Sequence, residues 1–69
     1  MAETVRLKQF RQKKKLTQAA AAESIGIDQR QWNRYENGKN EIPMKYVKAI
    51  CEKHNVSADW LIGLKEEEQ

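Results

Sequence analysis

The sequence contains few of the residues that build disulfides, metal sites and membrane spans. Its 69 residues include one cysteine, one histidine and one proline. A single cysteine excludes a disulfide within the chain and fits a reducing compartment. No run approaches the ~20 apolar residues of a membrane helix, and no signal-peptide pattern opens the chain. We therefore expect a soluble, cytoplasmic protein that makes no membrane contact.

The usual residues of catalysis and metal binding are also missing. With one histidine and one cysteine, the chain offers no believable catalytic triad, and it has no phosphate-cradling glycine loop or paired buried carboxylates. Cys51 and His54 stand three residues apart, but two ligands do not make a metal site. We expect a small buried thiol and a partly buried histidine instead. The sequence thus predicts no enzyme, no cofactor, no metal and no small-molecule ligand.

The net charge of +3 is unevenly distributed. Residues 1–48 carry eleven Lys or Arg and five Asp or Glu, whereas residues 49–69 carry two and five. A basic front and an acidic back indicate a protein that lays one side on a polyanion. The charge pattern by itself allows DNA, RNA or an anionic membrane as that polyanion.

The apolar pattern predicts a single all-α domain over residues 1–64, followed by a charged tail at 65–69 that frays. No stretch alternates with a period of two for long enough to form a strand. A first helix is expected over residues 3–15, one begins with Pro43 in its first turn, and a last one is capped by Ser57. The expected buried positions include Leu7, Phe10, Val47, Ile50, Cys51 and His54, and the apolar residues of the last helix are Trp60, Leu61 and Leu64.

The central segment, residues 17–37, predicts two short helices that meet at one glycine. Thr17 and Asp28 stand at the two N-cap positions, where a side-chain oxygen accepts from the free N–H groups of a first turn. Gly26 ends the first helix because glycine adopts a positive φ without strain. A turn of about three residues packs two helices at a large angle, which is the helix-turn-helix arrangement. The two helices are expected at residues 18–25 and 29–37.

The second helix of this motif has an unusual outward surface. Its apolar residues Trp32 and Tyr35 can face a shared core, which leaves five long polar side chains pointing outward. None of the five is acidic, and their types hydrogen-bond base edges in the major groove. These side chains are Gln29, Arg30, Gln31, Asn33 and Arg34.

The order of motifs from about residue 7 to residue 63 resembles the DNA-binding domain of lambda-type phage repressors and Cro proteins, a family also found in many bacterial regulators. One departure is Ala21, where the family usually has leucine, and Trp32 stands where it has isoleucine or valine. We expect the indole to fill the volume that the leucine vacates. The motifs that carry the resemblance are Leu7–Phe10–Arg11, Leu16–Thr17–Gln18, Ala22, Gly26–Ile27, Tyr35–Glu36–Asn37–Gly38, Pro43 and Ser57–Ala58–Asp59–Trp60–Leu61.

The resemblance implies a compact five-helix domain that binds a two-fold-related DNA operator as a homodimer, in a bacterial or phage-encoded setting. One helix of each subunit would then enter the major groove. Gln29, beside the cap, is expected to contact adenine. Arg30 and Arg34 are candidates for guanine or for phosphate. Asn33 and Gln31 come next, with Gln31 placed far round the helix.

Contacts to the DNA backbone are expected on both sides of that helix. Free N–H groups at the start of the preceding helix would act together with nearby side chains. The run of lysines at 13–15 allows a solvated helix end or a phosphate contact. The resemblance also implies that Arg11 pairs with Glu36 to hold the fold. The expected phosphate-contacting residues are Thr17, Gln18, Asn37, Lys39, Asn40 and Lys45.

Two partner questions are left open by the sequence. Dimer contacts are expected from Val56, Trp60 and Leu64, although Trp60 is equally suited to an ordinary core position. The same fold can also dock a protein, as antitoxins do, and such a module would favour apolar or acidic residues at positions 29, 30, 33 and 34. The polar and basic residues found there favour DNA.

Overall fold

The computed structural model describes residues 6–64, which form an all-helical fold. The N-terminal residues 1–5 and the predicted tail at 65–69 lie outside the described part. The described chain measures 28 × 26 × 21 Å along its principal axes. The five helices are α1 (Leu7–Lys13), α2 (Gln18–Ser24), α3 (Gln29–Glu36), α4 (Met44–His54) and α5 (Ala58–Leu61).

Side-chain caps begin three of the helices where the sequence predicts them. Thr17 Oγ1 accepts from the backbone N–H of Ala20 at 3.0 Å at the start of α2. At the start of α3, Asp28 Oδ1 accepts from the backbone N–H of Arg30 at 2.9 Å. Ser57 Oγ does the same for α5. Each bond satisfies a donor that has no partner within its own helix.

The ends of α2 and α3 share one backbone motif. Gly26 and Gly38 both have φ of 78°, which returns the chain across the helix end. The next residue, Ile27 or Lys39, donates its N–H to a carbonyl five residues back, at 3.0 and 2.9 Å. This pattern is the Schellman motif, and it satisfies carbonyls that the last helical turn leaves open. The turn between α2 and α3 is therefore set by its backbone.

The starts of α1 and α4 need comment beside the sequence-based prediction, whereas the ends of α1, α2 and α3 fall one or two residues earlier than predicted. α1 begins at Leu7, because Arg6 has φ −81° and ψ 51° and its N–H donates to the carbonyl of Leu61. The predicted start near residue 3 lies outside the described residues. Pro43 precedes α4 as its N-cap instead of lying in its first turn. Its ψ of 150° is extended, so the helix begins one residue later.

The core lies between the helices, with the most extensive contact between α2 and α3. Ala21 and Trp32 are both completely buried, which fits a large indole opposite a small alanine. Ile25, Ile27 and Cys51 are partly buried against the same cluster. The buried residues are Leu7, Phe10, Ala21, Ala22, Trp32, Tyr35, Val47, Ile50, Val56, Trp60 and Leu61.

A bidentate ion pair ties α1 to α3. Arg11 Nε and Nη2 each donate to a carboxylate oxygen of Glu36 at 3.0 Å, and Arg11 Nη1 donates to the carbonyl of Leu16. Trp32 Nε1 donates to Glu36 Oε1 at 2.7 Å. Burial alone would raise the pKa of Glu36, but the hydrogen bonds from Arg11 and Trp32 bring the pKa below its ordinary value. The pair therefore fixes the end of α3 relative to α1.

Candidate nucleic-acid interface

The side of α3 that faces away from the core is polar over its whole length. Gln29, Arg30, Asn33 and Arg34 are all exposed, whereas Trp32 and Tyr35 on the opposite side are buried. At about 100° per residue, positions 29, 30, 33 and 34 fall within one arc of less than half the helix circumference. Four of the five predicted base-contacting residues therefore share one side.

A shallow, solvent-open groove runs beside this helix, between the start of α2 and the residues that follow α3. We call it the α2–α3 groove. It combines the four side chains above with two of the predicted phosphate-contacting residues and with the cap of α3. Its lining residues are Gln18, Asp28, Gln29, Arg30, Asn33, Arg34 and Lys39.

Asp28 is the groove residue that sequence reasoning assigned to capping alone. Its Oδ1 accepts from the backbone N–H of Arg30, so the carboxylate is held at the start of α3. The cap position itself was the available signal, because a cap must lie beside the first exposed residue of its helix. The Asp28 carboxylate therefore lies among the guanidinium and amide side chains that line the groove.

Gln31 is separated from the other four. Its Nε2 donates to Tyr35 Oη at 2.9 Å, one turn further along α3. The residue does not line the α2–α3 groove. The structure thus places Gln31 toward Tyr35, in line with its expected position far round the helix.

Amide side chains form a hydrogen-bonded row across the groove. Asn37 Nδ2 donates to Asn33 Oδ1 at 3.0 Å, and Asn33 Nδ2 donates to Gln18 Oε1 at 3.3 Å. The row joins the first residue of α2 to the residue that caps α3 at its C-terminal end. Gln18, Asn33 and Asn37, predicted from different parts of the motif, are therefore brought together.

The loop after α3 carries Lys39 and Asn40, both exposed. Their backbone N–H groups both point to the carbonyl of Arg34, at 2.9 and 3.4 Å. This attachment holds Lys39 beside Arg34 at the lip of the groove, while Asn40 does not line it. Thr17 is exposed at the other end of the motif, and its hydroxyl oxygen is engaged in the α2 cap.

Lys45 lies apart from the groove. Its Nζ is 5.1 Å from the centre of the Tyr46 ring, a cation–π distance. The Tyr46 ring is 6.2 Å from the Tyr35 ring, so Lys45 belongs to the α4 side of the molecule. Among the predicted phosphate-contacting residues, Gln18 and Lys39 are the two that line the groove.

The predicted dimer residues differ sharply in exposure. Val56 and Trp60 are 5% and 4% exposed, whereas Leu64 is 74% exposed. The Trp60 ring lies under two cationic side chains, with Arg6 Cζ at 5.4 Å and Lys13 Nζ at 5.8 Å from its centre. Trp60 therefore packs within one chain, and Leu64 supplies the accessible apolar surface of the three.

Cys51 and His54 behave as packing residues. Burial, with a smaller contribution from Glu52, raises the pKa of the Cys51 thiol, which disfavours the reactive thiolate. Within residues 6–64, His, Cys, Asp and Glu side chains form no group of three that could hold a metal ion. In the same part of the chain, no helix has the length and apolar character needed to cross a membrane.

Comparisons with known proteins match this geometry. A family model described as helix-turn-helix matches residues 7–61. Antitoxin PezA of Streptococcus pneumoniae serotype 4 is 35% identical over 57 residues, which cover 83% of this chain and 36% of the antitoxin. The uncharacterized HTH-type transcriptional regulator YobD of Bacillus subtilis is 32% identical over 62 residues, which cover 90% of this chain and 55% of the regulator. The matches thus span about a third to a half of these relatives' lengths.

Proposed function

Because the chain belongs to the helix-turn-helix family of the lambda repressor and Cro type, we propose that it is a sequence-specific regulator of transcription that binds double-stranded DNA. The observation that carries the proposal is the exposed side of α3, where Gln29, Arg30, Asn33 and Arg34 line one groove. Amide and guanidinium groups are the side chains that pair with adenine and guanine in the major groove.

The position of each side chain on α3 determines which base we assign to it. Gln29 lies at the start of α3 beside the Asp28 cap and contacts adenine N6 and N7 with two hydrogen bonds. Arg30 and Arg34 supply guanidinium groups for guanine O6 and N7. Gln31 contributes least, because its amide is bonded to Tyr35 Oη.

Backbone contacts position the helix and carry no sequence information. Lys39 provides the main cation, since it lies beside Arg34 at the lip of the groove. Thr17 and Gln18 act from the start of α2, and Asn37 and Asn40 act from the end of α3. Lys45, which packs on the Tyr46 ring, contacts the DNA backbone from α4.

The DNA site is an operator with two-fold symmetry, bound by a homodimer that acts as a repressor of the phage or prophage type. A dimer that places one α3 in each major groove requires half-sites about one helical turn apart, roughly 34 Å. Operators of this kind give a palindromic consensus, so the symmetry of the DNA reports on the symmetry of the protein.

The named antitoxin among the relatives favours a second candidate, a domain that holds a protein partner. The matched segment, however, is shared by an antitoxin and by a transcriptional regulator, and 64% of the antitoxin lies outside the match. The shared part is the helix-turn-helix, which supports DNA binding as the common activity. Partner binding ranks second for this chain.

Selection of genomic fragments by the purified protein tests the proposal. We expect an enriched palindromic consensus with half-sites about one turn apart. Enrichment of a single half-site would contradict the homodimer but preserve DNA recognition. Recovery of fragments with no shared sequence would contradict sequence-specific binding.

A further inference from the structure

The row of amides across the α2–α3 groove begins beside the buried carboxylate of Glu36. Gln18 Oε1 accepts from Asn33 Nδ2, and Asn33 Oδ1 accepts from Asn37 Nδ2. On its other side Gln18 approaches the Glu36 carboxylate. Against the effect of burial, the hydrogen bonds from Arg11 and Trp32, and then one from Gln18, lower the pKa of Glu36. The row therefore connects the ion pair beneath α3 to its exposed side.

The directions of the amides are given by their two hydrogen bonds, and the charge of Glu36 favours the same orientation of Gln18. Gln18 Oε1 faces Asn33, and an ionised carboxylate only accepts hydrogen bonds, so the Nε2 of Gln18 is the atom suited to face Glu36. The opposite orientation would bring the Gln18 oxygen against a carboxylate that is 4% exposed. With Oε1 facing it, Asn33 can offer only its Nδ2 to Gln18. Its Oδ1 is then left to accept from Asn37.

Asn33 keeps half of its hydrogen-bonding capacity for a ligand. An amide has two N–H donors and an oxygen with two lone pairs. One donor is used by Gln18 and one lone pair by Asn37, which leaves one donor and one acceptor on an exposed side chain. This is the pair that adenine N7 and N6 require in the major groove.

We propose that Gln18 is a positioning residue for sequence recognition, which sets the direction of the Asn33 amide so that Asn33 presents a fixed donor and acceptor to one base pair. This inference rests on the proposed function, because it assumes that α3 contacts bases. It gives Gln18 a role in base preference in addition to the backbone contact proposed above. A phosphate contact would strengthen binding to all DNA sequences alike.

The free protein tests the orientation without DNA. The variant Gln18→Met keeps the length and helix propensity of the side chain and removes its amide. We expect the side-chain NH₂ resonances of Asn33 to be dispersed in the parent and to move toward solvent-exposed values in Gln18→Met. The matched control Gln12→Met, on α1, should leave them in place. Unchanged Asn33 resonances in Gln18→Met would overturn the proposal.

Binding to DNA tests the consequence. We expect Asn33→Ala to lower the preference for the base at its position by about 5- to 150-fold. Gln18→Met should lower the same preference by about threefold or more, and it should add nothing in the Asn33→Ala background. A loss that is equal on all sequences, in both backgrounds, would assign Gln18 to the phosphate contact alone and refute positioning.

The two experiments distinguish a failure of the proposed function from a failure of the positioning role. If the parent protein showed no base preference at all, the proposed function would fall, while the NMR comparison would still report whether Gln18 orients Asn33. If the parent showed a preference but Gln18→Met kept it at the Asn33 position, the positioning role alone would fall. Circular dichroism of each variant confirms that the helices remain.

Discussion

Glu36 is the residue on which most of the polar interior depends. Its carboxylate accepts from Arg11 twice and from Trp32 once, although the side chain is only 4% exposed. Such a group is costly to remove singly, because its partners stay behind without an acceptor. The sequence resemblance indicated the Arg11 pair. It could not indicate the Trp32 bond, because an isoleucine or valine at that position has no donor.

We predict that Glu36→Ala lowers the free energy of unfolding by about 3 kcal/mol or more, since it leaves a partly buried guanidinium and an indole N–H unpaired. Urea unfolding measures the loss. Glu52→Ala, at an exposed position on α4, is the matched control and should leave the midpoint nearly unchanged. A Glu36→Ala midpoint equal to that of the parent would show that the pair contributes no stability.

His54 is held neutral by its surroundings. The hydroxyl of Ser24 donates its hydrogen to the carbonyl of Ala21 at 2.7 Å, so Ser24 Oγ can only accept from His54 Nε2–H at 3.0 Å. The ring also meets the edge or face of Phe10 at 5.0 Å between centres. Burial first, and then the charges of Lys14 and Lys53, lower the pKa of His54 from 6.5.

This lowered pKa predicts a loss of stability in mild acid. Between the unfolded value near 6.5 and the lower native pKa, the unfolded chain binds the proton that the native protein resists, so stability falls as the pH decreases through that window. Urea unfolding at pH 7.5, 6.5 and 5.5 should show the decline. His54→Gln should flatten it, and equal declines in the two proteins would assign the effect to other groups.

At the scale of the helices, each of the five described helices is followed by a residue with a positive φ. The glycines at 26, 38 and 63 have φ between 78° and 89°, and Asn55 has φ of 58°. The sequence analysis predicted this conformation at Gly26, and the other three are residue types that also favour it. The sequence did not predict the same conformation at Lys15, which follows α1 and also has φ of 58°. Lysine has no preference for the left-handed region, so its residue type does not predict this conformation.

We therefore predict that Lys15→Gly stabilises the protein by about 0.5–1 kcal/mol, because it relieves the left-handed strain and loses some of that gain to the greater freedom of the unfolded chain. Thermal unfolding measures the change. Lys14→Gly is the control, since Lys14 has an ordinary φ of −89°. A loss of stability in Lys15→Gly would mean that the lysine side chain contributes more than its backbone costs.

The site was predictable from the sequence at the level of helices and less so at the level of side chains. Helical periodicity was enough to place Gln29, Arg30, Asn33 and Arg34 on one side of α3. It could not direct the amide of Asn33 to Gln18, because that partner lies 15 residues away in the sequence. It could not select the rotamer that bonds Gln31 to Tyr35 either, because helical periodicity does not fix side-chain rotamers.

At the scale of the whole molecule, a chain of 69 residues buries a small core, and association is a common additional source of stability. Of the residues expected at a dimer interface, Leu64 is exposed and Trp60 is buried. We predict that Leu64→Asp stays folded but sediments as a monomer at concentrations where the parent is a dimer. Trp60→Ala should instead lose the fold. A dimer that persists in Leu64→Asp would place the interface elsewhere.

The most direct test of base recognition by α3 compares the parent protein with Gln29→Ala and Lys39→Ala on selected and scrambled duplexes at several salt concentrations. We predict that Gln29→Ala loses about 1–3 kcal/mol on the selected duplex and little on the scrambled one. Lys39→Ala should weaken both alike and reduce the salt slope by about one unit. Equal losses on both duplexes for Gln29→Ala, or a parent whose binding ignores salt, would contradict DNA recognition by this side of α3.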